Sequence, residues 1–83
     1  MRPEELLELL RRRPFTPLRI HMNGGATHDI GHPDQVIVLK ERVDIGVGAD
    51  PNSGVVDRVE YCALNHVVRV EEMPMTKVSG NGQ

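Results

Sequence analysis

Apolar and polar positions alternate along this chain in short runs, and the clearest run closes its patterned part, from Arg58 to Glu71. The first half sets Val59, Tyr61 and Ala63 against Arg58, Glu60 and Cys62. The second half sets Val68 and Val70 against Arg69 and Glu71. Both have the two-residue period of a half-buried strand. Leu64-Asn65-His66 between them is too short for a helix of any length, so the pattern predicts two strands joined by one tight turn.

At the other end, Leu6, Leu7 and Leu10 fall on one stripe with Leu9 at its margin, the spacing of an amphipathic helix over residues 3–13. Pro3 suits the first helical turn, Glu4 and Glu5 lie at the positive end of the helix dipole, and Arg11, Arg12 and Arg13 lie at its negative end. Pro14 stops the helix. A helix of about ten residues is unstable alone, so its leucines must pack on the rest of the fold.

Phe15-Thr16-Pro17 reads as an extended link to a strand from Leu18 to Met22, with Leu18, Ile20 and Met22 on one face and Arg19 and His21 on the other. Asn23-Gly24-Gly25 supplies a hairpin turn. A three-residue loop pairs Met22 with Ala26, Ile20 with His28 and Leu18 with Ile30. A two-residue loop sets Ile20 against Asp29, so the three-residue register is expected. Gly31-His32-Pro33 predicts a bend or bulge, because proline cannot donate to a ladder. Val36 to Leu39 is a continuous apolar run, the pattern of a strand buried on both sides or shielded by the helix. Val43, Ile45 and Val47 alternate with Asp44 and Gly46. Gly48 to Gly54 is a loop, and a further strand runs from Val55 or Val56 to Cys62. Residues 73–83 have no period and read as a flexible tail.

The expected architecture is therefore mainly β (α+β): a single domain over residues 1–72, with an N-terminal helix and then, over 18–72, five or six strands in a strongly bent antiparallel sheet or small barrel. Composition narrows this further. The chain has 83 residues, 39% of them hydrophobic and only two aromatic, Phe15 and Tyr61. A chain this short buries only about 60% of its unfolded surface, so the core is built economically from aliphatic side chains or is completed by a partner. Residues 17–72 hold five basic and nine acidic side chains, a net of −4, which disfavours phosphate backbones as ligands. The one dense basic cluster is Arg11, Arg12 and Arg13, read first as compensation at the helix end and second as an anion or nucleic-acid patch. One cysteine, Cys62, excludes an internal disulfide and fits a reducing, cytoplasmic setting. No apolar stretch approaches a membrane span.

The order of helix, bent hairpin, strands and final single turn resembles the small β-barrels of the Sm-like and SH3-like type over residues 3–72. Gly25 and Asp34 stand near two positions of the Sm-like pattern, whereas Leu64-Asn65-His66-Val67-Val68 lacks its Arg-Gly pair, so the resemblance is one of layout. The chain is more closely similar to a family of short bacterial proteins without assigned function. That likeness rests on Arg13-Pro14-Phe15-Thr16-Pro17-Leu18-Arg19-Ile20-His21, on Asn23-Gly24-Gly25, on His32-Pro33 and on Glu60-Tyr61 through Val70-Glu71. It implies the layout and no activity.

Several constellations bear on chemistry. His21 and His28 face each other only in the rejected hairpin register; in the expected one His21 points out and His28 points inward beside Ile20. His32 and His66 sit at separate turns, so no closed metal site is expected. Cys62 and His66 flank the last turn without a third, orienting group. Asp44, Asp50 and Asp57 do not have the spacing of a calcium loop, and the glycines at 46, 48 and 54 precede no helix that would bind phosphate. No catalytic, metal or cofactor residue is expected. The reading that remains is a non-enzymatic interaction or assembly module. Its exposed strand edges pair with another copy or another protein, with Val67, Val68, Arg69 and Val70 as one edge and the preceding strand as its complement. An RNA-binding role through the arginine triad is the alternative.

Overall fold

The computed structural model describes residues 1–73. Helix α1 runs Pro3–Arg11 and six strands follow: β1 (Leu18–Met22), β2 (Thr27–Ile30), β3 (Val36–Val38), β4 (Arg42–Val47), β5 (Arg58–Ala63) and β6 (Val67–Glu72). They form two three-stranded antiparallel sheets, ordered β2-β1-β6 and β3-β4-β5. The mainly β, α+β architecture expected from the pattern is present, with six strands. The barrel does not close, because the sheets remain separate and each keeps two edges.

The helix ends at Arg11, short of the Arg12 or Arg13 expected from the position of Pro14. Arg12 is already extended, with φ −64° and ψ 141°, as expected near a proline that disfavours helical geometry in the residue before it. At the other end the Glu5 carboxylate accepts from the Arg2 backbone N–H at 2.9 Å, satisfying one free donor. Leu6 and Leu10 then enter a core with Leu18, Ile20, Ile30, Val43, Ile45, Cys62 and Leu64. Each large aliphatic side chain among them contributes about 1.5–3 kcal/mol of transfer free energy.

The hairpin has the three-residue register. Leu18 faces Ile30, Ile20 faces His28, and the Met22 N–H donates to the Ala26 carbonyl at 2.8 Å. Gly24 and Gly25 adopt φ of 96° and 100°, which only glycine does without strain. The interruption after β2 is not a bulge within one ladder. It is a short 3₁₀ turn, Pro33–Gln35, that moves the chain from one sheet to the other. Gln35 secures it. Its Oε1 accepts from the Gly31 and His32 backbone N–H groups, each at 2.9 Å, and its Nε2 donates to the Gly46 carbonyl on β4 at 2.9 Å.

A second 3₁₀ turn, Leu64–His66, carries the chain back. The Leu64 N–H donates to the Glu41 carbonyl beside the second sheet, and the His66 carbonyl accepts from the Asn23 N–H beside the first. The last two strands are thus joined by the single tight turn that the pattern predicts, and they belong to different sheets.

One burial expectation holds only in part, and the orientation of β5 is set by its partner strand. The apolar run at Val36 to Leu39 is not buried on both sides: Val36 and Val38 pack on the core and α1 lies against β3, whereas Ile37 is 65% exposed because it lies opposite Asp44 on the face turned away from the core. On β5 the buried residue is Cys62, opposite Val43, whereas Val59 and Tyr61 are 46% and 67% exposed. The more apolar face of that strand is its outer one. The strand also begins at Arg58 rather than at Val55 or Val56. The expected tail is described only at Met73, whose N–H donates to the Pro17 carbonyl; residues 74–83 lie outside the described part.

Candidate interaction edges

Two sheets of three strands leave four edges: β2 and β6 in one, β3 and β5 in the other. They differ in kind. β2 and β3 have four and three residues and are broken apart by Pro33 and its turn, and short strands next to proline make poor templates for pairing. β5 and β6 have six residues each. In an antiparallel ladder every second residue of an edge strand turns its N–H and C=O away from its neighbour, so these two strands carry the longest rows of free backbone groups.

Val67, Val68, Arg69 and Val70 lie on β6. Val70 faces Ile20 and Val67 faces Met22, and a register shift between His21 and Met22 leaves Val68 without a partner on β1. This extra residue is 65% exposed. Beside the strand runs a groove of about 470 Å³, whose other wall is Met1, Glu5, Glu8 and Leu9 of the helical segment. The sequence pattern places Leu9 at the margin of the packing stripe and Glu5 at the helix dipole, and gives Met1 and Glu8 no role. Their place beside β6 depends on how α1 crosses the sheets, which a helical period does not encode.

The outer face of the second sheet exposes two further apolar side chains with an aspartate between them. Ile37, Asp44 and Tyr61 lie opposite one another across β3, β4 and β5. The Arg42 guanidinium stacks over the Tyr61 ring at 4.6 Å, and its Nε lies 2.9 Å from Asp44 Oδ1. Of the other two aspartates near the long loop, Asp50 accepts from the Asn52 N–H at 2.8 Å within its own turn. The Asp57 N–H donates to the Val47 carbonyl.

The three arginines of the triad are all exposed, and they differ in their contacts. Arg12 pairs with Glu72 at 2.7 Å, and Arg13 donates to the carbonyls of Leu10 and Arg12 at 2.9 and 2.7 Å. Two of the three guanidinium groups thus contact the helix end or Glu72 of β6 while remaining exposed, as Arg11 is.

The histidines are dispersed. His21 lies on the outer face of β1, alternate to buried Ile20, and is half-buried there with its Nε2 3.0 Å from Glu71 Oε1. That contact, aided by Arg69, holds the Glu71 carboxyl below its ordinary range. Arg19 does the same for Asp29 through bonds of 2.7 and 3.0 Å. His28 is half-buried opposite Ile20, His32 accepts from the Asp34 N–H at 3.2 Å, and His66 is exposed in its turn. No three His, Cys, Asp or Glu side chains among the described residues are grouped to hold a metal ion. Burial raises the Cys62 thiol pKa, which weakens it as a nucleophile. No helix among the described residues is long and apolar enough to cross a membrane.

No family model matches the chain, and neither a curated protein nor a solved structure shows significant similarity to it. The functional reading therefore rests on the chain's own edges and charges.

Proposed function

We propose that this chain is a non-enzymatic assembly module that acts through the free edges of β5 and β6, with another copy of itself as the first partner. One observation carries the reading: of four sheet edges, two are short and interrupted, and the two six-residue edges are the consecutive strands β5 and β6. Natural sheets blunt unused edges, so long edges carrying exposed Val59, Tyr61 and Val68 are suited to pairing. Main-chain bonds along such an edge supply affinity, and alternate side chains supply selectivity.

The reading is tested by the mass of the native protein in solution, measured by light scattering across a dilution series. Association is expected at micromolar concentration, with Val68→Pro lowering it while the fold persists, because proline removes a donor and stiffens the edge. A parent that stays monomeric at every concentration refutes self-assembly. Salt-sensitive RNA binding by that monomer, lost on replacing Arg11 to Arg13 with alanine, would instead favour the nucleic-acid alternative.

A further inference from the structure

The charges on the two long edges are arranged in complementary order. Along β5 the sequence Arg58-Val59-Glu60-Tyr61 alternates positive, apolar, negative, apolar. Along β6 Val68-Arg69-Val70-Glu71 alternates apolar, positive, apolar, negative. Within each copy Arg58 pairs with Glu60 at 2.9 Å, and Arg69 approaches Glu71 at 4.0 Å. Each edge thus carries a plus-minus pair on one face and apolar side chains at the alternate positions. All four charged side chains are between 38% and 62% exposed, so a neighbour can reach them.

We infer that β6 of one copy takes β5 of a second copy antiparallel, in the register that sets Arg58 opposite Glu71, Val59 opposite Val70, Glu60 opposite Arg69 and Tyr61 opposite Val68. This deepens the edge-pairing reading and rests on it. Directly opposed residues in an antiparallel ladder share a face, so the four charges form one alternating square and Val59 meets Val70 on the other face, with Tyr61 set against Val68, the exposed extra residue at the register shift. A parallel arrangement pairing the same strands in step sets Arg58 against Arg69 and Glu60 against Glu71. Slipping the antiparallel register by one residue sets charges against apolar side chains on both faces.

The surroundings fit this occupant. The contact of Val59 with Val70 forms on the core side of β6, where Val70 lies opposite Ile20. The groove wall there offers Leu9 and Met1 to the arriving Val59 and Tyr61, and the Glu8 carboxylate lies within the same wall. Tyr61 and Val68, exposed within one copy, are covered in the pair. Self-pairing of either strand is poorer. β6 against its own copy matches Arg69 with Glu71 only by opposing Val68 to Glu72, and β5 against its own copy, matching Arg58 with Glu60, opposes Tyr61 to Asp57.

The test uses charge exchange at one opposed pair, with native mass over a dilution series as the readout and thermal melting as the control for folding. Glu60→Arg alone opposes two guanidinium groups at that pair, and Arg69→Glu alone opposes two carboxylates, so each variant should associate at least about tenfold more weakly than the parent. The double variant Glu60→Arg, Arg69→Glu should recover the parent's association. An equimolar mixture of the two single variants should do so in part, because the β5 edge of one then matches the β6 edge of the other. A parent that associates while Glu60→Arg has no effect, or while the double variant and the mixture fail to recover, overturns this register and leaves edge pairing standing. A monomeric parent overturns both.

Discussion

Gln35 makes three hydrogen bonds that join the turn between the sheets to β4, and its removal has a calculable effect. Gln35→Ala deletes all three at once: two accepted from the Gly31 and His32 N–H groups, and one donated to the Gly46 carbonyl. The two N–H groups are solvent-facing, so water replaces most of what they lose, at a cost of about 0.5 kcal/mol each. Gly46 is buried, and its carbonyl loses the side-chain donor without easy access to water, at a cost of about 1–2 kcal/mol. The total is about 2–3 kcal/mol, which for a domain of this size lowers the melting temperature by roughly 10–20 °C.

The assay is urea unfolding followed by circular dichroism at one fixed protein concentration, since association would otherwise contribute to apparent stability. Gln35→Glu separates the components. An ionised carboxylate keeps both acceptor interactions and loses the donor, so it should retain the short turn yet lose about 1–2 kcal/mol through Gly46. Gln35→Ala costing less than about 0.5 kcal/mol would refute the reasoning. So would Gln35→Glu matching the parent at neutral pH, because the contact to Gly46 would then carry no weight.

Two further outcomes follow from ionisable groups. Glu71 is held below its usual 4.5 chiefly by the His21 hydrogen bond, and Asp29 below its usual 3.8 chiefly by Arg19. Both have folded pKa values below their unfolded ones, so their contribution is present above pH about 4.5 and is lost as pH falls through the folded values. His21→Gln should raise the Glu71 carboxyl toward 4.5 in an NMR titration while leaving Asp29 low, and an unmoved Glu71 would remove the role given to His21. The Cys62 thiol, buried and raised by desolvation, should react with a disulfide reagent at least about a hundredfold faster in denaturant than in the native state. Comparable rates in both states would contradict its burial.

The elements were legible where the pattern was local. Leu18 to Met22 and Thr27 to Ile30 fix their own register, because only one alignment keeps Asp29 from facing Ile20. The turn at Leu64–His66 follows from its length alone. What failed was information that depends on more than one strand. Alternation on β5 shows two faces without saying which meets the core, and Cys62 went inward because Val43 lies opposite it. Ile37 is apolar and exposed for the converse reason, since Asp44 lies opposite it on the outer face. The four residues expected to form an edge do lie on one, but the groove beside them is built by Met1, Glu5, Glu8 and Leu9 from the opposite end of the chain.

The inequality between the two long edges constrains any assembly built from them. A contact between β6 of one copy and β5 of the next joins different surfaces, so it is heterologous and leaves a free β5 and a free β6 at opposite ends of every pair. Growth stops only if rotation between successive copies brings those ends together. A closed ring would leave no long edge exposed and give one mass that is stable on dilution, whereas an open arrangement would give a mass that rises continuously with concentration. The three-residue turn Leu64–His66 is central to that choice, because it fixes the angle between β5 and β6 within a copy. Its bonds to Glu41 on one side and Asn23 on the other tie that angle to both sheets. Loosening the turn should therefore broaden the distribution of masses without abolishing pairing. Breaking the Glu60 and Arg69 match should do the reverse, reducing the amount assembled while leaving the geometry of what remains.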